Sequence, residues 1–353
     1  MPSTMLAGRL NLTTRKFGME TVAIPEPGPD EVRIKVHAAG ICLSDIHLID
    51  GTLRLEPREG VTSVTLGHEV AGVIEKLGSA VPPLWQPGMR VLLQAGQSCG
   101  RCPACVGRTG RCLKILTRGV DYDGGWAEYA LARFDTLVAV PDGLPFEQAA
   151  ILPDAVSTPY AAIVETAHLR PAEAVGIWGV GGLGAHAVQL CRAFGAAPIV
   201  AIDPLAEARD RALKLGADAA LDPRQPDFRE RIKALTGRRG LDVALDLAGV
   251  PQVREQAQSV LAPMGRMVLV GLAGAPLTLG QDVPFCYAMQ QVRGHYGYFP
   301  HHLHQVVTLS QFRRLDFSSS VSDILPLKDA PLGVERLIKK EGNPIRLVLR
   351  PGA

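Results

Sequence analysis

Val175-Gly176-Ile177-Trp178-Gly179-Val180-Gly181-Gly182-Leu183-Gly184 is the stretch that decides the fold of this 353-residue chain. A short apolar run, Val175 to Trp178, ends in a glycine cluster that opens an amphipathic segment reaching Gly195. Strand, glycine turn and helix in that order give an otherwise common pattern its meaning. The glycines permit a tight turn, close approach of backbone to a pyrophosphate and tight helix packing, while helix N–H groups face the phosphates. Gly179, Gly181, Gly182, Leu183 and Gly184 are therefore candidate dinucleotide-binding positions. Asp203 lies 19 residues beyond Gly184, at the end of the next apolar run. A carboxylate there binds both adenosine-ribose hydroxyls and repels a 2′-phosphate, so NAD is expected over NADP, with Arg209 near enough in sequence to soften that preference. The bland alternative is a tight βα turn, with Asp203 capping the helix after Pro204.

The same grammar runs outward from this point. Apolar runs at Pro198 to Ile202, Ala219 to Leu221, Val243 to Leu247 and Met267 to Gly271, with a final strand near Gln291 to His295, alternate with helical segments ending near Gly195, Leu215, Leu235 and Leu261. That alternation predicts six parallel strands. Upstream, β-rich runs such as Glu31 to Ala38 and Glu69 to Leu77 are separated by Pro and Gly clusters, predicting a loop-rich antiparallel domain. Downstream the pattern predicts helices His301 to Phe312 and Ala330 to Lys340 and a closing strand Ile345 to Leu349, too little for a domain. The economical division is 1–153, 154–296 as an insertion, and 297–353 returning to the first part.

Composition narrows the function. Hydrophobic residues make up 47% and charged residues 20%, and no run approaches a membrane span. With 37 basic against 35 acidic side chains, net +2, there is no electrostatic footprint for nucleic acid. A small-molecule substrate is favoured. Met1 to Leu10 lacks a basic start followed by a long apolar run, so a cytoplasmic location is expected.

Cys99, Cys102, Cys105 and Cys112, inside a segment spanning 95–113, carry the gaps of a four-thiolate metal site. Four sulfurs can close a tetrahedron around zinc at about 2.3 Å each. Arg101, Arg108, Arg111 and Lys114 offset the excess negative charge. A disulfide pair or four unrelated thiols would be the alternatives; the repeated C-x-x-C spacing favours zinc. With every corner filled by cysteine, such a site is structural.

A second donor set is more dispersed. Cys42 stands in Gly40-Ile41-Cys42-Leu43-Ser44-Asp45-Ile46-His47, and Gly67-His68-Glu69 follows. Thiolate, imidazole and carboxylate can hold zinc with one position open. Taken singly, Cys42 reads more readily as a buried small hydrophobe and His68 as a hydrogen-bonded turn residue.

Together these motifs, in this order and over nearly the whole chain, resemble the zinc-dependent medium-chain alcohol dehydrogenase superfamily. The resemblance implies an α/β fold with a Rossmann six-stranded parallel sheet inserted in a β-rich GroES-like catalytic domain, one catalytic and one structural zinc per subunit, and a homodimer or homotetramer. It implies that Cys42 and His68 bind the catalytic zinc, with Asp154 in Leu152-Pro153-Asp154-Ala155 as third ligand and Glu69 as a secondary one; otherwise Asp154 would be a helix cap. Asp45 matches a carboxylate that orients the ligating imidazole. Ser44 and His47 match a proton relay whose outer end suits an imidazole. Arg346 matches a contact to cofactor phosphate. Ala95 and Trp126 are placed near the substrate pocket. The implied reaction is hydride transfer between an alcohol, or its aldehyde or ketone, and a nicotinamide; a polyol or hydroxyacyl dehydrogenase, or less readily a non-catalytic nucleotide-binding protein, is the alternative.

Two departures from the family pattern stand out. The last cysteine gap is one residue short, beside Gly107-Arg108-Thr109-Gly110, and the segment Gly51 to Thr65 is long. The histidines at 295, 301, 302 and 304 read as a strand end and a solvated helix face, and Cys191 and Cys286 as buried thiols.

Overall fold

Strands Val175–Trp178, Ile199–Ile202 and Leu241–Asp246 are buried along their whole length, as strands covered on both faces must be. The computed structural model describes residues 3–53, 60–107 and 111–352; Arg108 and the middle of the long 51–65 segment lie outside them. The described residues form two units.

In the unit of residues 155–298 and 313–315, six strands run parallel in the order Ala219–Leu221, Ile199–Ile202, Val175–Trp178, Leu241–Asp246, Leu261–Leu269 and Gln291–Gly294. The order reverses at Val175–Trp178, which places the glycine loop at the switch point where such sheets bind ligands. Trp178 anchors the core edge-on to Phe228, with ring centroids 6.4 Å apart. The last strand is an edge strand, and the preceding helix, Asp282–Tyr287, buries no residue. Cys286 on that helix is exposed, against the expectation of a buried thiol, whereas Cys191 is buried; the helix simply has no core beneath it.

The other unit comprises residues through Asp154, Phe299–Phe312 and everything from Asp316. Its main sheet follows the order Leu137–Ala139, Arg90–Leu93, Val70–Leu77, Glu31–Ile41, Arg346–Arg350 and Val321–Pro326, with Tyr129–Arg133 also on Glu31–Ile41. The C-terminal strand lies antiparallel to the long first-half strand, Leu347 opposite Ile41. That pairing sets Arg346 beside the residues that follow Ile41. Strand Val321–Pro326 gave little sequence signal because it sits on an edge and its residues alternate weakly. His302 is buried rather than solvated: its Nδ1 takes the Phe299 N–H at 3.1 Å, closing the start of helix Pro300–Gln311.

Candidate metal and cofactor sites

Cys42 ends the strand Glu31–Ile41 and caps the helix Leu43–Ile49. The Asp45 carboxylate accepts the Cys42 N–H at 2.9 Å and the Gly67 N–H at 3.3 Å. One buried carboxylate thus ties the Cys42 turn to the Gly67-His68 turn. Gly67 has φ +93°, and a Cβ there would meet Trp126 Cδ1 at 2.2 Å; only glycine fits. Trp126 is fully buried, lies edge-on to Phe17 and donates its Nε1–H to the Gly40 carbonyl at 2.9 Å. It is therefore a packing residue behind the metal-ligand turns, which corrects its expected place in the substrate pocket. Ala95 accepts the Arg118 N–H through its carbonyl.

The three expected donors come together. Cys42 Sγ is 3.2 Å from Asp154 Oδ2, and His68 Nε2 is 3.4 Å from the same oxygen. Tetrahedral zinc with sulfur at about 2.3 Å and nitrogen or oxygen at about 2.0–2.2 Å requires donor separations of about 3.3–3.6 Å. The His68 separation falls in that range and the Cys42 separation just under it, so a small adjustment of the Asp154 side chain lets the residues present fit that ion. Asp154 is presented on a π-helical turn, Leu152–Val156, an irregularity that recurs at functional sites. His68 Nδ1 faces Asp45 Oδ1 at 3.7 Å, which turns Nε2 toward the donor cluster. Burial would lower the imidazole pKa, yet Asp45, Asp154 and Cys42 hold it well above its ordinary value. Burial raises that of Asp45. The pocket is rich in anions and draws a cation.

Glu69 and Arg346 complete the surroundings. Arg346 Nη2 sits 2.9 Å from Glu69 Oε1 and 3.8 Å from Asp154 Oδ2, and Arg346 is 3% exposed. Burial works to discharge the guanidinium, but Glu69, Cys42 and Asp154 hold its proton more firmly than usual. Arg346 therefore faces the metal donors through Glu69, a partner the sequence did not disclose; the two residues are far apart in the chain and meet only through strand pairing. Gly40 makes room for Glu69, since a Cβ there would meet Oε2 at 1.9 Å. Ser44 Oγ lies 3.1 Å from Cys42 Sγ. His47 is one helical turn beyond Ser44, half-buried.

In the cysteine lobe, Sγ separations are 3.4 Å for Cys102 to Cys105 and 4.0 Å for both Cys99 to Cys105 and Cys102 to Cys112. A tetrahedron of four Zn–S bonds has edges of about 3.8 Å. All seven cysteines are free thiols, which removes the disulfide alternative. Backbone N–H groups of Leu113 and Cys105 pull the Cys102 thiol down to about 6, and Cys102 pushes Cys105 up to about 12. Such crowded sulfurs become four thiolates only around a cation.

In the other unit, Gly179 has φ +85°, and a Cβ on Gly184 would meet the Gly179 carbonyl at 1.8 Å. Gly181 has open space in front of it, the room a pyrophosphate needs. Leu183 caps the helix Gly184–Ala193. Asp203 Oδ2 accepts the Val180 N–H and Oδ1 the Leu205 N–H, each at 2.9 Å. The carboxylate thus touches the glycine loop as well as capping the turn after its strand.

Residues 28–142 match the model of the alcohol dehydrogenase GroES-like domain, and residues 182–311 match that of the zinc-binding dehydrogenase. The chain is 35% identical to a sorbitol dehydrogenase of Bacillus subtilis over 77% of its own length and 76% of the relative's. It is 34% identical to an NAD-dependent alcohol dehydrogenase of Sulfurisphaera tokodaii over 77% and 80% respectively. Among solved structures, a Sinorhizobium meliloti protein with NADP bound superposes at a TM-score of 0.89, with 28% identity over 99% of this chain and 100% of that one. The alcohol dehydrogenase of Aeropyrum pernix gives 0.87, with 30% identity over 98% and 100%. The chain belongs to the zinc-containing medium-chain alcohol dehydrogenase superfamily, its six-stranded Rossmann sheet inserted in a GroES-like domain.

Proposed function

We propose that this zinc-family oxidoreductase interconverts an alcohol and its aldehyde or ketone with NAD, holding its catalytic zinc through Cys42, His68 and Asp154. The observation that carries the reading is the convergence of three donors on one point, with Cys42 Sγ and His68 Nε2 at 3.2 and 3.4 Å from Asp154 Oδ2. When bound, zinc polarises the substrate oxygen and the nicotinamide exchanges hydride with the substrate carbon. Asp45 keeps the His68 ring turned with Nε2 inward. Ser44, beside Cys42, accepts the alcohol proton as it gives up its own along the relay, whose outer end, His47, releases a proton to water. Arg346 holds Glu69 as an ion pair, so that Glu69 stands by as a secondary ligand without adding net charge. Gly179 to Gly184 receive the pyrophosphate, and Asp203 the adenosine ribose.

The four lobe cysteines hold a second, structural zinc. Metal analysis should give two zinc ions per chain, and NAD with a panel of alcohols should give nicotinamide absorbance; no bound zinc and no turnover with any alcohol would defeat the reading. The panel includes polyols, because a sorbitol dehydrogenase is among the relatives. Free cysteines throughout agree with a reducing cytoplasm. We place the homo-oligomer contact on the edge strand Gln291–Gly294 and the segment before it, where Val283 and Tyr287 on the helix Asp282–Tyr287 and Met289 in the following turn are exposed apolar side chains.

A further inference from the structure

Two strands of the nucleotide-binding sheet end side by side in carboxylates. Ile202 is paired with Leu221, so Asp203 and Asp222, the next residue on each strand, are neighbours. Asp203 contacts the glycine loop. Asp222 does not share that role. It holds Arg224 in a two-pronged contact, Nε to Oδ1 at 2.9 Å and Nη2 to Oδ2 at 2.7 Å. Its Oδ2 also lies 3.6 Å from Arg209 Nη1.

Both guanidiniums are further engaged by one carbonyl of the turn that follows Asp203. Arg224 Nη2 reaches the Pro204 oxygen at 2.7 Å, and Arg209 Nη1 reaches it at 2.9 Å and the Asp203 oxygen at 2.8 Å. The turn expected to meet the adenosine ribose is therefore flanked by two cations, each facing the Asp222 carboxylate. Planar guanidiniums are the groups that recognise a ribose 2′-phosphate. In this chain they are within reach but occupied.

We infer that Asp222 is a specificity-determining positioning residue: by holding Arg224 and Arg209 it withholds them from a 2′-phosphate and makes NAD the preferred cofactor. The inference rests on the dinucleotide reading of the glycine loop. Its chemistry is a competition between one fixed carboxylate and one incoming phosphate dianion for the same guanidiniums. A carboxylate already in a two-pronged contact at 2.7–2.9 Å leaves the phosphate facing an extra negative charge, with Arg224 and Arg209 both already engaged. Asp203 adds to that bias, although both of its oxygens already accept backbone N–H groups.

The test compares 5′-AMP with adenosine 2′,5′-bisphosphate by calorimetry on the full-length protein, using Asp222→Asn and the double variant Asp222→Asn with Arg224→Ala. The amide keeps the shape but loses the charge. Asp222→Asn should tighten the bisphosphate relative to 5′-AMP by about tenfold, and the double variant should lose most of that gain. The ratio of KM values for NADP and NAD should move in the same sense. A merely structural role would weaken both ligands together and leave the ratio within about twofold, which would overturn the inference. If wild-type protein binds neither nucleotide, the dinucleotide reading itself falls, and this inference with it.

Discussion

Replacing Arg346 by Met separates two roles that the sequence could not. As a contact to cofactor phosphate, Arg346 would be dispensable for folding, and its loss would raise the dissociation constant for NAD. The structure instead buries it against Glu69 at 2.9 Å. At that distance and an effective dielectric of about 20, the attraction is about 6 kcal/mol, most of which offsets the cost of taking both charges out of water. Removing one partner leaves the other charge buried and uncompensated, a loss of about 3–5 kcal/mol. For a cooperative unit of this size that is about 2–4 °C per kcal/mol. Thermal unfolding of the zinc-replete protein should therefore drop by roughly 6–20 °C. The companion double variant, Arg346→Met with Glu69→Gln, should recover much of the loss, because it removes the stranded charge. Should Arg346→Met unfold within about 2 °C of wild type while NAD binding weakens more than about tenfold, the phosphate role stands and the ion-pair argument is wrong.

Three further outcomes are open to measurement. Cys105→Ser should lower bound zinc from two to one per chain and reduce thermal stability, whereas Asp154→Ala should abolish turnover and lose the other ion; plasma emission analysis beside a melting curve reads both. Arg266 carries Glu173 at 2.6 and 2.9 Å and donates to the carbonyls of Ala167, His168 and Asp242, so Arg266→Leu should cost about 3–5 kcal/mol in urea unfolding. Burial alone would raise the Glu173 carboxyl, yet Arg266 keeps it below its ordinary 4.5; its contribution is present above 4.5, fades as acid carries the pH down through the lower folded value, and should be missing from the pH profile of Arg266→Leu. Tyr287→Glu, at a residue 91% exposed, should shift the scattering mass toward the protomer, and an unchanged mass would remove the edge-strand contact.

How far the sequence reaches depends on the range of the interaction. The parallel sheet was legible because short, mostly apolar runs alternate with amphipathic segments, and the starts at Val175, Ala219 and Gln291 coincide with those in the structure. Four cysteines within one lobe were legible because their ligand spacing is local. Cys42, His68 and Asp154 were brought together only by resemblance, since no local pattern relates residues 42, 68 and 154. The partners of those ligands were less accessible still. Arg346 meets Glu69 because the last strand pairs with the strand ending at Ile41, and a register of that kind leaves no mark in either segment alone. Trp126 misled because the resemblance set it near the substrate pocket, whereas an indole suits packing equally well, and its full burial with a 2.2 Å approach to a Cβ at Gly67 decides for packing.

The two candidate metal sites would differ in a way that follows from their donors alone. Four thiolates around a dication leave a net charge of about −2 with every corner filled, so the lobe repels an incoming oxygen anion and has nowhere to place it. Thiolate, carboxylate and a neutral imidazole around the same ion leave about zero, with one corner open. A neutral centre can take up an oxygen that is losing its proton; a dianionic one cannot. That balance would fail if Glu69 stood beside the donors as an unpaired carboxylate, because it would turn the centre negative. Arg346, 2.9 Å from Glu69 and 3.8 Å from Asp154, cancels that charge. Electrostatic neutrality of the open site therefore depends on a residue from the last strand of the chain, which is why Arg346→Met should depress turnover beyond what its effect on folding explains.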